Sequence, residues 1–328
     1  MNIKKIGLTA LAASLVSVSA HAGSMSVAGG ASMNTEGYSG EGLTAGTTFS
    51  MGNQLTFTGS GELDNGINVS LSFVIDQGDD TTDANRPFDS HSVKISSDAM
   101  GSLTLAGEGG TTATGAINAS AAGNLWDAFD GLGTLNLVDF SADLMTTVSA
   151  GNNGFMYTTP ELAEGLTLVG SYQPKGTNRE SATGYGVNYT GFEGLTLNYA
   201  TMEIVTGTTS TEGDVDVLKA SYAYGPITVG YSESEYDDEV AAGDQSTEAY
   251  NIAYTISDDL SISYGSEELE FGVQSASQVA AEFERIKLTY TTGGMTLTAS
   301  QSTGDNIDYS TTATKDQEVW ALGATFAF

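Results

Sequence analysis

Hydrophobic and polar positions alternate with a period of two along most of this chain. The pattern is clearest over residues 54–63 and 67–76, where Leu, Phe, Ile and Val alternate with Gln, Thr, Ser and Asn. Between these runs lies Asp64-Asn65-Gly66, and Asn and Gly accept the positive φ of a tight turn. Alternation over about twenty residues, interrupted by such a turn, predicts an antiparallel β-hairpin.

The same hairpin unit recurs along the chain without sequence identity. Its predicted turns fall at residues 97–101, 160–165, 191–194, 225–226, 257–259 and 293–294. With a first strand near residues 23–33 and a last strand at 317–328, the pattern predicts about sixteen strands. Longer polar segments separate the hairpins, at residues 34–51, 77–90, 109–152, 174–182, 204–213, 237–245, 270–278 and 304–315. Tight turns and long loops therefore alternate, and we expect them at opposite rims of one sheet.

The two faces of these strands differ in composition. One face is mainly Ser, Thr, Asn and Gln, whereas the apolar face carries tyrosines near the strand ends. These are Tyr157, Tyr172, Tyr185, Tyr189, Tyr199, Tyr222, Tyr224, Tyr231, Tyr250, Tyr254, Tyr264 and Tyr290. A soluble sheet with a dry core would also alternate, but tyrosine belts are typical of a membrane interface. We therefore predict an all-β fold, a transmembrane antiparallel up-and-down β-barrel with its polar face inside.

Both ends of the chain agree with export to a membrane. Lys4 and Lys5 precede an apolar run, and Ala20-His21-Ala22 follows it, which predicts a signal peptide over residues 1–22. The apolar run is too short for a membrane anchor. The barrel domain is then expected over residues 23–328. Its last strand ends on Phe328, on the apolar face, and must pair with the first strand to close the barrel.

The composition narrows the classes of partner. The chain has 41 Asp and Glu against 10 Lys and Arg, a formal net charge of −31, and no cysteine. Such a surface repels nucleic acid and attracts cations. Low hydrophobicity with high charge can indicate disorder, but 15 Tyr and 12 Phe in alternating positions argue against it.

The most specific motif lies after the longest loop. Residues 153–160 read NGFMYTTP and are followed by Gly165 and Tyr172. This run resembles the N-S-x-x-Y-x-S-P…G…Y run of the general, usually trimeric, porins of Gram-negative outer membranes. The layout of the whole barrel domain is similar as well. The chain departs from the family at Phe155 and Met156, where members often carry Arg or Lys.

The resemblance implies that the third loop, residues 109–152, folds inward and narrows a water-filled channel. Trp126 and Phe129 are then expected to anchor this loop to the barrel wall. The acidic residues expected to face the constriction are Asp127, Asp130, Asp139 and Asp143. A solvated surface loop is the alternative, but the length of the loop and its aromatic residues favour insertion. The terminal Phe328 resembles the signal by which outer-membrane barrels are recognised for assembly.

Four basic residues lie within predicted strands. By alternation, all four point away from the apolar face; they are Lys94, Lys219, Arg285 and Lys287. A cation facing lipid at the bilayer midplane costs about 2–4 kcal/mol, so exclusion alone predicts inward cations. The family resemblance adds that they oppose the acidic loop across the constriction.

Enzymatic and metal chemistry have weak support. Beyond the leader the only histidine is His91, and a serine hydrolase would need it beside a nucleophile such as Ser90 or Ser92. Calcium could bind the acidic runs at residues 79–83 or 237–239, although no EF-hand spacing occurs and a solvated acidic rim is favoured. We therefore predict no enzyme activity and no required cofactor.

These observations together predict an outer-membrane porin for passive diffusion of small hydrophilic solutes and ions, with a preference for cations. The expected partners are membrane lipid and lipopolysaccharide, the barrel-assembly machinery and two further copies in a homotrimer. A substrate-specific channel would need a dedicated site in the lumen, and none is visible. An adhesive or structural surface protein would show internal sequence repeats, which are absent.

Overall fold

The computed structural model describes residues 23–40, 45–76, 89–117, 120–129, 153–174, 180–206, 212–238, 244–271, 279–311 and 316–328. The strands are β1 Ser24–Gly40, β2 Gly46–Glu62, β3 Asn68–Asp76, β4 Ser90–Ser97, β5 Gly101–Glu108, β6 Gly154–Thr158, β7 Leu166–Gln173, β8 Glu180–Tyr189, β9 Leu195–Thr206, β10 Glu212–Tyr224, β11 Ile227–Asp238, β12 Gln245–Ser257, β13 Leu260–Phe271, β14 Ala281–Thr292, β15 Met295–Asp305 and β16 Gln317–Ala327. The described residues also contain two short 3-10 helices, Leu125–Phe129 and Ile307–Tyr309. No helix within the described ranges is long and apolar enough to cross a membrane.

The sixteen strands form one closed barrel in which each strand is antiparallel to its neighbours in the chain. The first and last strands close it, with a register that runs from Gly30 opposite Ala327 to Gly40 opposite Gln317. Phe328 extends this pairing, because its N–H donates to the Gly29 carbonyl over 3.0 Å and its carbonyl accepts from the Gly29 N–H over 2.6 Å. The predicted barrel of about sixteen strands is confirmed.

The first hairpin is longer than the sequence suggested. Residues 34–51 were expected to be a loop, yet β1 continues to Gly40 and β2 begins at Gly46. The expectation was wrong because the alternation persists here: Tyr38 points inward against a buried cluster, and Phe49 points outward and is exposed. On β1 the outward residues Thr35 and Gly37 are small or polar, which hides the alternation.

An apolar band surrounds the outside of the barrel on the turn side. Cross-strand register places all twelve of the predicted tyrosines on the outward face; examples of the pairing are Tyr231 with Tyr250 and Tyr264 with Ile286. The inward positions on the same strand segments are small or polar, as Ser263 and Lys287 show. This arrangement places aromatic rings where a barrel meets the two membrane interfaces.

The loop end of β8–β16 has the opposite polarity. Here many inward side chains are apolar and buried, which contradicts the expectation that the inward face is polar throughout. One buried cluster covers the inside of β8–β11 and consists of Ala182, Met202, Ile204, Val215, Val217 and Tyr236. A second covers the inside of β12–β16 and includes Ala249, Leu269, Ala281, Phe283 and Val319. Segments from the third and last loops complete these clusters.

The outward face at the same end is acidic. Five adjacent strands carry carboxylates that are direct cross-strand partners: Glu233, Glu248, Glu268, Glu282 and Asp305. Tyrosines on this face donate to carboxylates, as Tyr264 does to Glu284 over 2.7 Å and Tyr231 does to Glu233 over 3.0 Å. The phenol rings lie in the apolar band while their hydroxyls reach charged groups, so this line of bonds separates the two environments.

Candidate functional site

The third loop enters the barrel. Its described part, residues 109–117 and 120–129, is called the inner segment below. The Ala113 N–H donates to Oγ of Ser171 on β7 over 2.9 Å, and the Ala121 N–H donates to Oγ of Ser232 on β11 over 2.7 Å. Both serines point inward, so the inner segment runs along the lumen side of the wall.

Small wall residues make room for this close approach. A β-carbon added at Gly265 would lie 3.0 Å from the Ala122 β-carbon, and one at Gly230 would lie 3.4 Å from that of Ala121. A β-carbon added at Gly184 would lie 3.2 Å from the Ala113 β-carbon. Larger side chains at these wall positions would push the inner segment toward the centre of the lumen.

The apolar contact of the inner segment is its 3-10 helix, Leu125–Phe129. Leu125 and Phe129 are fully buried, and the Phe129 ring centre lies 5.3 Å from that of Phe283 on β14. Trp126 is half-buried and packs against the same cluster. Full burial of a Phe or Leu side chain contributes about 1.5–3 kcal/mol relative to exposure, so this contact is a substantial attachment of the loop.

The polar contact centres on Glu267 of β13, which is only 1% exposed. Its Oε2 accepts a hydrogen bond from the Leu125 N–H over 2.7 Å and another from the Ser120 hydroxyl over 3.0 Å. On the next strand, Nη2 of Arg285 donates to the Ala122 carbonyl over 2.8 Å. The wall therefore binds the inner segment with one carboxylate and one guanidinium.

Glu267 was not among the residues that the sequence singled out. Its phase on β13 is inward, the same as Ser261, Ser263 and Gly265, so alternation alone could have identified a lumen-facing carboxylate. Nothing in the local sequence indicates its hydrogen-bond donors, because Ser120 and Leu125 lie more than a hundred residues earlier in the chain.

All four predicted wall cations lie on strands with their side chains on the lumen side. Lys94 is opposite Ser70 and Thr104, and Lys219 is opposite Asn198 and Ser232. Arg285 and Lys287 are successive inward residues of β14, with Gly265 and Ser263 opposite them on β13. Lys94 is exposed and the other three are half-buried.

Only one of the four acidic residues predicted for the constriction lies within the described residues. Asp127 is exposed on the 3-10 helix of the inner segment. Asp130, Asp139 and Asp143 lie outside the described residues. On β1 the inward Glu36 accepts hydrogen bonds from Asn34 and Thr48, each over 3.1 Å, so this lumen carboxylate is held by the wall itself.

The residues considered for serine-hydrolase chemistry do not lie on the same face of the barrel wall. Register places His91 on the outer face of β4 and its neighbours Ser90 and Ser92 on the lumen face, so these residues form no serine–histidine pair. His91 lines an outward groove of about 680 Å³ with Leu71, Phe73, Leu105 and Phe155. Within the described ranges, no group of three or more His, Cys, Asp or Glu residues could hold a metal. Of the acidic runs considered as calcium sites, residues 79–83 and Glu239 lie outside the described residues.

Comparison with known proteins supplies the family. The sequence profile of Gram-negative porins matches residues 7–284. Among solved structures, the anion-selective porin from Comamonas acidovorans matches 93% of this chain and 100% of its own, with 16% identity and a TM-score of 0.68. OmpT of Vibrio cholerae in its trimer form matches 94% and 100%, with 14% identity and a TM-score of 0.65. A mutant of the Rh. blastica porin matches 93% and 100%, with 15% identity and a TM-score of 0.60. A search of curated protein sequences found no significant match.

The match to the family profile covers most of the chain, and the chain therefore belongs to the Gram-negative porin family. The predicted family is confirmed. Family and fold together indicate a channel of the outer membrane rather than an enzyme.

Proposed function

We propose that the protein forms a water-filled channel for passive diffusion of small hydrophilic solutes and ions, narrowed by its third loop, residues 109–152. The observation that carries this proposal is the inner segment, which is attached to the lumen side of a closed sixteen-strand barrel. Barrels of about this strand number enclose an aqueous channel. Trp126 and Phe129 act as apolar anchors, and Asp127, Asp130, Asp139 and Asp143 supply negative charge to the constriction.

We further propose a preference for cations. The chain carries a formal net charge of −31, and acidic residues crowd the loop end through which solutes enter. Asp127 is exposed on the inner segment. Charges that line a narrow passage between walls of low dielectric count for more than charges on an open rim.

Anion preference is a second candidate, favoured by a specific observation. The four strand-borne cations face the lumen, whereas the carboxylate of Glu267 is almost fully withdrawn from water. One structurally similar protein is described as an anion-selective porin. The sign of the selectivity therefore depends on whether Asp127 and the remaining loop acids outweigh this cationic wall.

Reversal potentials in planar bilayers under a salt gradient test both candidates. If the channel prefers cations, replacing Asp127 and Asp130 together by Asn should shift the reversal potential toward lower cation selectivity. The matched control replaces Asp237 and Asp238, which the sequence assigns to an outer rim, by Asn, and should have a much smaller effect because salt screens charges on an open rim over about 8–10 Å. Equal shifts from both pairs would place the selective region elsewhere. A wild-type reversal potential of anionic sign would favour the second candidate.

We propose a homotrimer whose contact surface is the outward face of β1–β5. Between residues 23 and 108 the only tyrosine is Tyr38, which points inward, so this face lacks the outward tyrosines of the rest of the barrel. Its exposed side chains include Met25, Met33, Met51, Leu55 and Leu71. OmpT, a protein of similar fold, is known in a trimer form.

Native mass spectrometry or chemical crosslinking in detergent tests whether the protein forms a trimer. Leu71→Asn should dissociate the trimer, whereas Leu288→Asn, at an outward leucine on β14 outside this surface, should leave it intact. Equal behaviour of the two variants would contradict the assigned surface.

Export and assembly complete the proposal. Residues 1–22 act as a signal peptide, and Phe328 serves as the recognition signal for the barrel-assembly machinery, with lipid and lipopolysaccharide around the finished barrel. The Phe328 ring is 78% exposed on the outer face, where it is available for recognition. Phe328→Asp should leave the protein unassembled in the periplasm. A heat-modifiable, membrane-embedded variant would contradict this role.

A further inference from the structure

The inner segment is attached to the wall unevenly. Ser171 and Ser232 each accept one backbone hydrogen bond from it. Glu267 accepts two, from the beginning of the 3-10 helix at Leu125 and from Ser120 five residues earlier. Ser120 in turn accepts from the N–H groups of Gly123 and Asn124, over 3.0 and 2.8 Å. One carboxylate oxygen therefore joins the wall to the compact turn that precedes the helix.

The environment of Glu267 makes these bonds costly to lose. The side chain is 1% exposed, and Oε1 has no hydrogen-bond partner in the described part of the chain. A buried donor left without its acceptor is destabilising, because it loses its partner without regaining water. The Leu125 N–H is such a donor, because Leu125 is fully buried. If Glu267 were absent, the inner segment would have to move toward water to satisfy it.

We infer that Glu267 is the positioning residue that holds the inner segment of the third loop against the wall and so keeps the channel at its open width. This inference rests on the proposed function, since it concerns the same constriction. Glu267 need not touch the solute; it acts through Ser120 and Leu125. The apolar contact of Phe129 with Phe283 holds the far end of the segment, while Glu267 fixes the turn before it.

A graded series of variants separates hydrogen bonding from the filling of space. Glu267→Gln keeps an acceptor without the charge, and Glu267→Met keeps the length of the side chain without an acceptor. The matched control is Glu36→Met, which removes an inward carboxylate whose bonds are to Asn34 and Thr48 of the wall. A residue that only fills space would show little difference between Glu and Met at position 267.

Single-channel recording in planar bilayers provides the readout. We expect steady currents for wild type and for Glu36→Met. For Glu267→Met, the fraction of time spent in closed or reduced-conductance states should rise about tenfold or more, as the loss of bonds of this strength implies. Glu267→Gln should lie between wild type and Glu267→Met.

A disulfide tether tests whether displacement of the loop is the cause. The chain contains no cysteine, and a β-carbon at Gly230 would lie 3.4 Å from that of Ala121, near the usual disulfide range of about 3.5–4.5 Å. Combining Ala121→Cys and Gly230→Cys with Glu267→Met should restore steady currents when oxidised. Reduction with dithiothreitol should return the closures.

The outcomes are distinguishable. A Glu267→Met channel as steady as wild type, or one whose closures persist under the oxidised tether, overturns the role of Glu267 and leaves the channel function standing. A wild-type protein that forms no channel overturns the proposed function itself. If Glu267→Met fails to give a heat-modifiable barrel, the same comparison is made with Glu267→Gln, and steady currents there overturn the inference.

Discussion

The two ends of β14 show one strand pattern in two opposite environments. Toward the tight turn, Leu288 and Tyr290 face outward in the apolar band and Lys287 faces the lumen. Toward the long loops, Phe283 faces inward and is buried while Glu282 faces outward. The alternation is unbroken over the whole strand, yet the apolar face changes sides.

The physical reason is the solvent on each side. Within the bilayer, lipid surrounds the barrel and water fills it, so apolar side chains are favoured outside. At the loop end, the acidic outward face meets water and the inner segment packs against the inward face, so many inward side chains there belong to buried hydrophobic clusters. Val215 and Val217 on β10 behave like Phe283, with Asp214 and Asp216 outward beside them.

Truncating an inward residue at the loop end should have the largest effect on stability. Phe283→Ala should lower the free energy of unfolding by about 3–5 kcal/mol, because it leaves a cavity against Phe129. Lys287→Ala, two inward positions nearer the turn, should cost no more than about 0.5 kcal/mol because its cross-strand partners, Ser263 and Ser300, are small and polar. Reversible unfolding in detergent or lipid vesicles measures both. Equal costs would show that the interior is uniform along the strand.

A cation on the outward face should be harmful only in the apolar band. Leu288→Lys should cost about 2–4 kcal/mol of barrel stability, since a charge near the midplane of lipid is poorly solvated. Glu282→Lys lies on the same face nearer the loops, beside Glu268 and Asp305, and should be neutral or slightly stabilising. Folding yield into vesicles and unfolding midpoints provide the comparison. A similar penalty at both positions would place the acidic face in lipid.

Removing a hydrogen bond at the boundary between the apolar band and the acidic face should lower the stability of the barrel by less than these changes. Tyr264→Phe removes the 2.7 Å hydrogen bond to Glu284 and should cost about 0.5–1.5 kcal/mol. Tyr290→Phe is the control at the turn end of the same sheet, where the hydroxyl makes no hydrogen bond to the described part of the chain. If both variants unfold alike, the tyrosine–carboxylate bond does not stabilise the boundary.

The acidic face should be the site of the smallest change, and this change should be favourable. Glu268 lies directly between Glu248 and Glu282, and opposed like charges are destabilising. Glu268→Gln should raise stability by about 0.2–1 kcal/mol at low salt, and the gain should vanish at high salt. Glu318→Gln, whose cross-strand partners Ser39 and Thr303 are uncharged, should show no gain. A salt-independent effect would exclude charge repulsion as its cause.

Sequence alone was sufficient for the antiparallel barrel, the order of turns and loops, and the inward direction of Lys94, Lys219, Arg285 and Lys287. These features depend on the period of two and on turn chemistry, which are local properties of the chain. The same local pattern placed Trp126 and Phe129 in the third loop, although their contacts with the wall remained a hypothesis until the fold was known.

Tertiary structure alone decided which side of each strand meets water at the loop end, and which residues hold the loop. The first hairpin is longer than predicted, and Tyr38, near the end of β1, packs inward against a cluster drawn from other strands. Glu267 was missed because its partners Ser120 and Leu125 are 147 and 142 residues away in the chain. The alternation in the sequence indicates that the two faces of a strand differ. Whether each face meets lipid, water or packed protein depends on what the closed barrel encloses and what surrounds it.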